Sequence, residues 1–264
     1  MRKQAGVSAV AVLFSSSLAG VAPEQVAPTA LPACSTIRFI GLKGLNENSD
    51  KESDVINATW DRFKRTSETS GVGTPFRESV NYPKVAPTRL VSDIIVADTF
   101  SVVIRAGVTS AVDRGVEAVN AAIDDVRKKC PDAKFVLAGY SLGAWIVDQF
   151  LKTTPLQSIV LAAILYGDPQ WNGAGVRGIA QSYDGTALSG PYPPLADRVQ
   201  SLCNHHDPIC GIGYEASEKG MEKRAADLGK AIALAAEGKN CGPHCGYVGG
   251  PTTQGGDFLE SRSK

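Results

Sequence analysis

The chain has 264 residues with 27 basic and 27 acidic side chains, so its formal net charge is zero. That balance offers no basic stripe for nucleic acid or an anionic membrane. Once an export segment is set aside, the remainder has the size of one α/β domain with a real core.

Met1-Arg2-Lys3 leads an uncharged stretch from Gln4 to Ala22 whose apolar centre, Val7 to Phe14, is too short to span a bilayer. Residues 1–22 therefore read as a signal peptide, with Ser17 and Ala19, or Gly20 and Ala22, as the small residues of a cleavage site. Residues 23–33 form a Pro/Ala-rich spacer without a periodic apolar face. One folded domain is expected over 34–250, and the Gly/Thr/Ser-rich residues 251–264 read as a frayed, flexible tail.

Ile37 to Leu42 reads as a buried strand, and residues 53–66 place Val55, Ile56, Thr59 and Phe63 on one helical face. Val80 to Tyr82, ending at Pro83, reads as a short second strand. In residues 111–129, Val112, Val116, Val119, Ile123 and Val126 recur at intervals of three and four, predicting a helix that leads into Cys130-Pro131. Residues 135–138 form a strand running straight into Gly139-Tyr140-Ser141-Leu142-Gly143, after which 144–151 continue as a helix. Residues 159–166 have the continuous apolar character of a central parallel strand, and 199–203 form a shorter one. Residues 215–237 are Ala-rich and read as a helix interrupted at Gly220 and Gly229. This alternation predicts an open, mostly parallel sheet covered by helices on both faces.

The six cysteines all follow the export segment, and an even count in an exported chain reads as three disulfides. Fifteen pairings are formally possible. Cys34 and Cys130 each precede an apolar run, read as neighbouring parallel strands that start at the same sheet edge, so they pair first. Cys203 with Cys210 and Cys241 with Cys245 would each cinch a short loop. A zinc site is the rival, but the sequence lacks a Cys-x-x-Cys spacing, and no metal is expected.

A Gly-x-Ser-x-Gly run between a strand and a helix puts its serine on a tight turn with the hydroxyl projecting from the sheet edge. Ser141 meets each part of that description. A serine attacks only when a base takes its proton and an acid holds that base in the right tautomer. Of the three histidines, His205 and His206 directly precede Asp207 and are poorly placed to pair with it. His244, in a late loop, is the better base. Asp207, between Cys203 and Cys210, and Asp168, in Tyr166-Gly167-Asp168-Pro169, compete as the acid, both following strands where open α/β sheets build their sites. Asp207 is preferred because a disulfide-closed loop fixes its carboxylate, and it gives the chain order Ser, Asp, His. The backbone N–H of Leu142 and that of Leu45 or Asn46 are the candidate oxyanion donors.

With these residues in place the chain resembles the cutinase family of secreted esterases, which also includes acetylxylan esterases and actinobacterial cutinase-like proteins. The shared features are Lys43-Gly44-Leu45-Asn46-Glu47, Asn81-Tyr82-Pro83, Lys129-Cys130-Pro131-Asp132-Ala133, the serine motif, the Cys203 to Cys210 loop with Asp207, and His244 with Tyr247 three places on. The resemblance implies an α/β-hydrolase-like, flavodoxin-like three-layer α/β/α sandwich with an open, mostly parallel five-stranded sheet. It also implies a Ser141, Asp207, His244 triad and the Cys34–Cys130 and Cys203–Cys210 pairings.

The sequence departs from the family at Leu142 for Gln, at Leu45 for Ser or Thr, where Asn46 is a possible helper, and at His206 for Gly. It also carries an extra helix, 215–237, between acid and base, expected to form a flap that sets substrate size. The function implied is cofactor-free hydrolysis of carboxylic esters by a secreted monomer with no obligate protein partner. Residues 179–194, with Tyr183 and Tyr192, are a candidate substrate rim. The alternatives are an acetylxylan esterase and a non-catalytic module binding cell wall or carbohydrate.

Overall fold

The computed structural model describes residues 34, 36–44, 53–82, 104–170, 195, 197–211, 214 and 218–264. The expected signal peptide and spacer, Leu45, Asn46 and the candidate rim at 179–194 lie outside the described residues. The strands are β1 (Ile37–Leu42), β2 (Phe76–Glu78), β3 (Lys134–Tyr140), β4 (Val160–Tyr166) and β5 (Val199–Leu202). The helices are α1 (Asp54–Ser70), α2 (Ile104–Lys129), α3 (Leu142–Thr153), α4 (Glu218–Ala236) and α5 (Gly250–Ser261).

All strand pairs are parallel, in the order β2-β1-β3-β4-β5. This order reverses direction between β1 and β3, the point at whose carboxyl side open α/β sheets form their ligand crevices. The two-residue side-chain period then sorts the core into two layers. Ile40, Leu42, Leu137 and Leu165 pack with Val119 and Ile123 of α2 and Phe150 of α3. Phe39, Val136, Ile164 and Tyr166 pack with Ile56 and Phe63 of α1 and Leu259 of α5. The continuous apolar run of β4 and the largely apolar β1 and β3 follow from burial on both faces. A disulfide joins Cys34 to Cys130 and so ties the entry of β1 to the entry of β3.

Three sequence expectations change. The second strand is Phe76–Glu78 rather than 80–82. It is an edge strand whose Phe76 is 42% exposed, and it is secured by Arg38 Nη1 to Glu78 at 2.8 Å, so it carries little apolar signal. Val80 and Tyr82 instead follow as partly buried anchors. Helix α4 runs through Gly220 and Gly229 without a break, since a single glycine costs a helix only about 1 kcal/mol.

The tail expected to be frayed is helix α5, packed on α1. Its glycines allow a close approach: a Cβ at Gly255 would collide with the Tyr166 hydroxyl, and one at Gly256 would meet Arg62. Arg62 holds Asp257 through two bonds of 2.6 and 3.0 Å, and Leu259 is fully buried. Low helix propensity is overridden there by tertiary packing.

Candidate active site

Ser141 joins β3 to α3 with φ 55° and ψ −118°, a backbone conformation unusual for a residue with a Cβ. Such strain persists only where the surroundings fix it. Here the Ser141 N–H donates to the Tyr166 carbonyl at 2.9 Å, anchoring the turn to the end of β4. Both motif glycines are required by close backbone packing. A Cβ at Gly139 would come within 2.5 Å of the Gly143 carbonyl oxygen, and one at Gly143 would collide with the Leu42 carbonyl at the end of β1. The Ser141 hydroxyl makes no capping bond to α3. Leu142, the first residue of that helix, has an N–H without a partner inside it. The chain after β1 passes alongside, so that a Cβ at Gly44 would lie 3.4 Å from that of Ser141.

His244 and Asp207 are brought together from two disulfide-closed loops. Asp207 lies within the Cys203–Cys210 bridge, and His244 sits in the short 3-10 turn Gly242–Cys245 closed by Cys241–Cys245. His244 Nδ1–H donates to the Asp207 carboxylate, with Oδ2 at 2.9 Å and Oδ1 at 3.1 Å. Asp207 is fully buried and His244 nearly so. Tyr247 O–H donates to Asp207 Oδ2 at 2.7 Å, and the Ile209 N–H donates to Oδ1 at 2.8 Å. Burial pushes the Asp207 carboxyl up, but the His244 charge, its hydrogen bond and the Tyr247 and Ile209 donors outweigh burial and hold it below the ordinary carboxylate range. The Tyr247 phenol is pushed far the other way, by burial and by the adjacent carboxylate, so it stays a donor.

The imidazole is oriented from other sides as well. The Tyr140 ring stacks on it with centroids 5.1 Å apart, and the Tyr140 hydroxyl donates to the His244 carbonyl at 2.8 Å. Gly167 lies beneath the pair: at φ 57°, a Cβ there would be 2.9 Å from His244 Cε1 and 3.0 Å from Asp207 Oδ2.

Asp168, the competing acid, is directed elsewhere. Its Oδ1 accepts from the Gln170 N–H at 2.9 Å, closing a turn. Burial and the neighbouring Asp148 raise its pKa well above the usual value, against the Gln170 N–H and Lys152. Asp148 is itself fully buried and paired with Lys152 at 2.8 Å. Sequence reasoning assigned no role to the hydroxyls of Tyr140 and Tyr247. Their only signal is position, one beside the serine and one three residues past the histidine. All six cysteines are in disulfides, leaving no thiolate for a metal.

Residues 33–222 match the Cutinase family. The chain belongs to the cutinase family. It is 32% identical over 137 residues to acetylxylan esterase 2 of Talaromyces purpureogenus, covering 42% of this chain and 56% of that protein. It is 35% identical over 104 residues to a probable carboxylesterase of Mycobacterium tuberculosis, covering 38% and 39% respectively. The matches thus span about half or less of these relatives' lengths. The fold is that of an acetylxylan esterase solved at 0.90 Å, with a TM-score of 0.54 and 21% identity over 88% of this chain and 100% of the other. The family match ends at residue 222, inside α4 and before His244.

Proposed function

We propose that this cutinase-family chain is a secreted serine esterase that hydrolyses carboxylic esters, with Ser141 as nucleophile, His244 as base and Asp207 as the orienting acid. The observation that carries the reading is the buried Asp207 carboxylate gripping His244 Nδ1 at 2.9 Å, which fixes the tautomer whose Nε2 is free to accept a proton. The strained turn that holds Ser141 with its hydroxyl uncommitted to the helix supports its part.

In this mechanism Ser141 Oγ attacks the ester carbonyl while its proton passes to His244 Nε2. The tetrahedral oxyanion accepts the Leu142 N–H, with the Leu45 or Asn46 backbone as the second donor. Collapse expels the alcohol, which takes the proton from His244 and leaves an acyl-Ser141. Water, deprotonated by His244, then attacks the acyl carbon, releases the acid and returns the proton to Ser141. Asp207, held ionised, stabilises the imidazolium formed in each half. The three disulfides support export to an oxidising compartment.

A fluorophosphonate probe is expected to label the folded protein at Ser141, with labelling and turnover of p-nitrophenyl esters both absent in Ser141→Ala. A folded parent that neither labels nor turns over would favour the non-catalytic binding module. The relatives named acetylxylan esterase support a second reading of the substrate, an acetylated polysaccharide. Faster acetate release from acetylated xylan than hydrolysis of butyrate or longer p-nitrophenyl esters would select it, and the reverse would select lipid or polyester substrates.

A further inference from the structure

His206, immediately before Asp207, has φ 61°, the left-handed region that a histidine rarely occupies. Such a residue costs about 1–3 kcal/mol and is held only by its surroundings. Beyond the Cys203–Cys210 bridge and the Asn204 bonds to Tyr247 and Pro243, this loop is restrained by Tyr214 and by α4, the helix whose greater part lies past the family match.

Arg224 of α4 donates from Nε to the Pro208 carbonyl at 2.8 Å and from Nη2 to the Ile209 carbonyl at 2.9 Å. These are the two residues directly after Asp207, and the Ile209 N–H is itself a donor to the Asp207 carboxylate. The guanidinium occupies space that a side chain at position 211 would fill, since a Cβ at Gly211, φ 85°, would lie 2.7 Å from Arg224 Cζ. Gly211 N–H in turn donates to the Asp207 carbonyl at 2.8 Å. On the other side of Asp207, the single Tyr214 proton faces two acceptors, the His206 carbonyl at 3.1 Å and Asp227 Oδ2 at 2.9 Å. Asp227 belongs to α4 and is held by Lys223 at 2.6 Å.

We infer that Arg224 is a positioning residue of the active site: its two-pronged hold on the Pro208 and Ile209 carbonyls sets the orientation of the Asp207 carboxylate toward His244. Helix α4 is then a brace on the acid loop, and the Asp227–Tyr214 contact steadies the strained His206 peptide from the opposite flank. A rigid planar fork suits two carbonyls at once, which an ammonium on a flexible stem does not match. The inference rests on the esterase reading above.

The test compares Arg224→Ala and Arg224→Lys with the parent, with rates normalised to sites titrated by the fluorophosphonate. Arg224→Ala is expected to lower kcat by roughly 10- to 100-fold at nearly constant KM, the scale of a misplaced catalytic group. Arg224→Lys should fall between, and millimolar guanidinium should restore part of the activity of Arg224→Ala but none of Arg224→Lys. If Arg224→Ala fails to fold, the kcat and KM of Arg224→Lys decide. Parental kcat per titrated site in these variants, whatever the change in Tm, would overturn the inference. An inactive, unlabelled parent would instead overturn the esterase reading.

Discussion

The two ends of the candidate site are held in place by different means. At the Ser141 end, β3, Ser141 and α3 are contiguous, and the turn is fixed by backbone against backbone: Gly139 on Gly143, Gly143 on Leu42 and the Ser141 N–H on Tyr166. At the acid–base end no two of the principal residues are neighbours in the chain. Tyr140, Gly167, Asp207 and the His244–Tyr247 segment come from four separate stretches and meet through side-chain hydrogen bonds and ring contacts. The first arrangement is locally encoded and stiff; the second is a buried polar network whose members depend on one another. Substitutions at the acid–base end should therefore lower rates in proportion to how directly they touch the Asp207–His244 pair.

The largest effect is expected for Asp207→Asn. It keeps the volume but lets an amide face His244 Nδ1, favouring the wrong tautomer, and kcat should fall by about 10⁴-fold in steady-state hydrolysis. Next comes Gly167→Ala, which forces a methyl between His244 and Asp207 at a positive φ; kcat should drop by about 10²-fold, and parental kcat would show the pair to be less tightly seated than the contacts imply. Tyr247→Phe removes a donor to the buried carboxylate and an acceptor for the Asn204 N–H, 3.0 Å away. A fall of about 10-fold in kcat with about 1.5–3 kcal/mol of lost stability in denaturant unfolding is expected.

The smallest effect on rate is expected for Asp168→Asn, because Asp168 lies outside the pair. Its raised pKa means that the folded state keeps a proton the unfolded chain releases, so stability falls as pH rises from about 4 toward the folded value. Asn retains the acceptor for the Gln170 N–H without that penalty. Thermal melts should show Asp168→Asn above the parent by about 2–4 °C near pH 8 and level with it near pH 4. A large loss of kcat in this variant would return Asp168 to the candidate acids.

Legibility in the sequence follows the same division. The serine turn was readable because a strand pattern, two glycines and a helix pattern are adjacent, and each has a local physical reason. Asp207 and His244 could be nominated from cysteine-bounded loops, but that Asp207 rather than Asp168 contacts His244 emerged only with the side chains placed. Phe76–Glu78 was missed because an edge strand needs little apolar content. Helix α5 was read as a frayed tail because Gly and Thr are poor helix formers, although the same glycines let it settle against Tyr166 and Arg62. Arg224 left no trace in any motif, being simply one charged residue among several on an Ala-rich helix.

By itself, then, the sequence determined the layered α/β architecture, the Ser141 turn and the short list of candidate acids and bases, because periodicity and turn chemistry are properties of neighbouring residues. Tertiary structure alone decided which carboxylate grips His244, which tyrosines and glycine support that grip, and that α4 holds the acid loop. Those outcomes depend on directions and distances between residues remote in the chain, and the pattern of no single segment contains them.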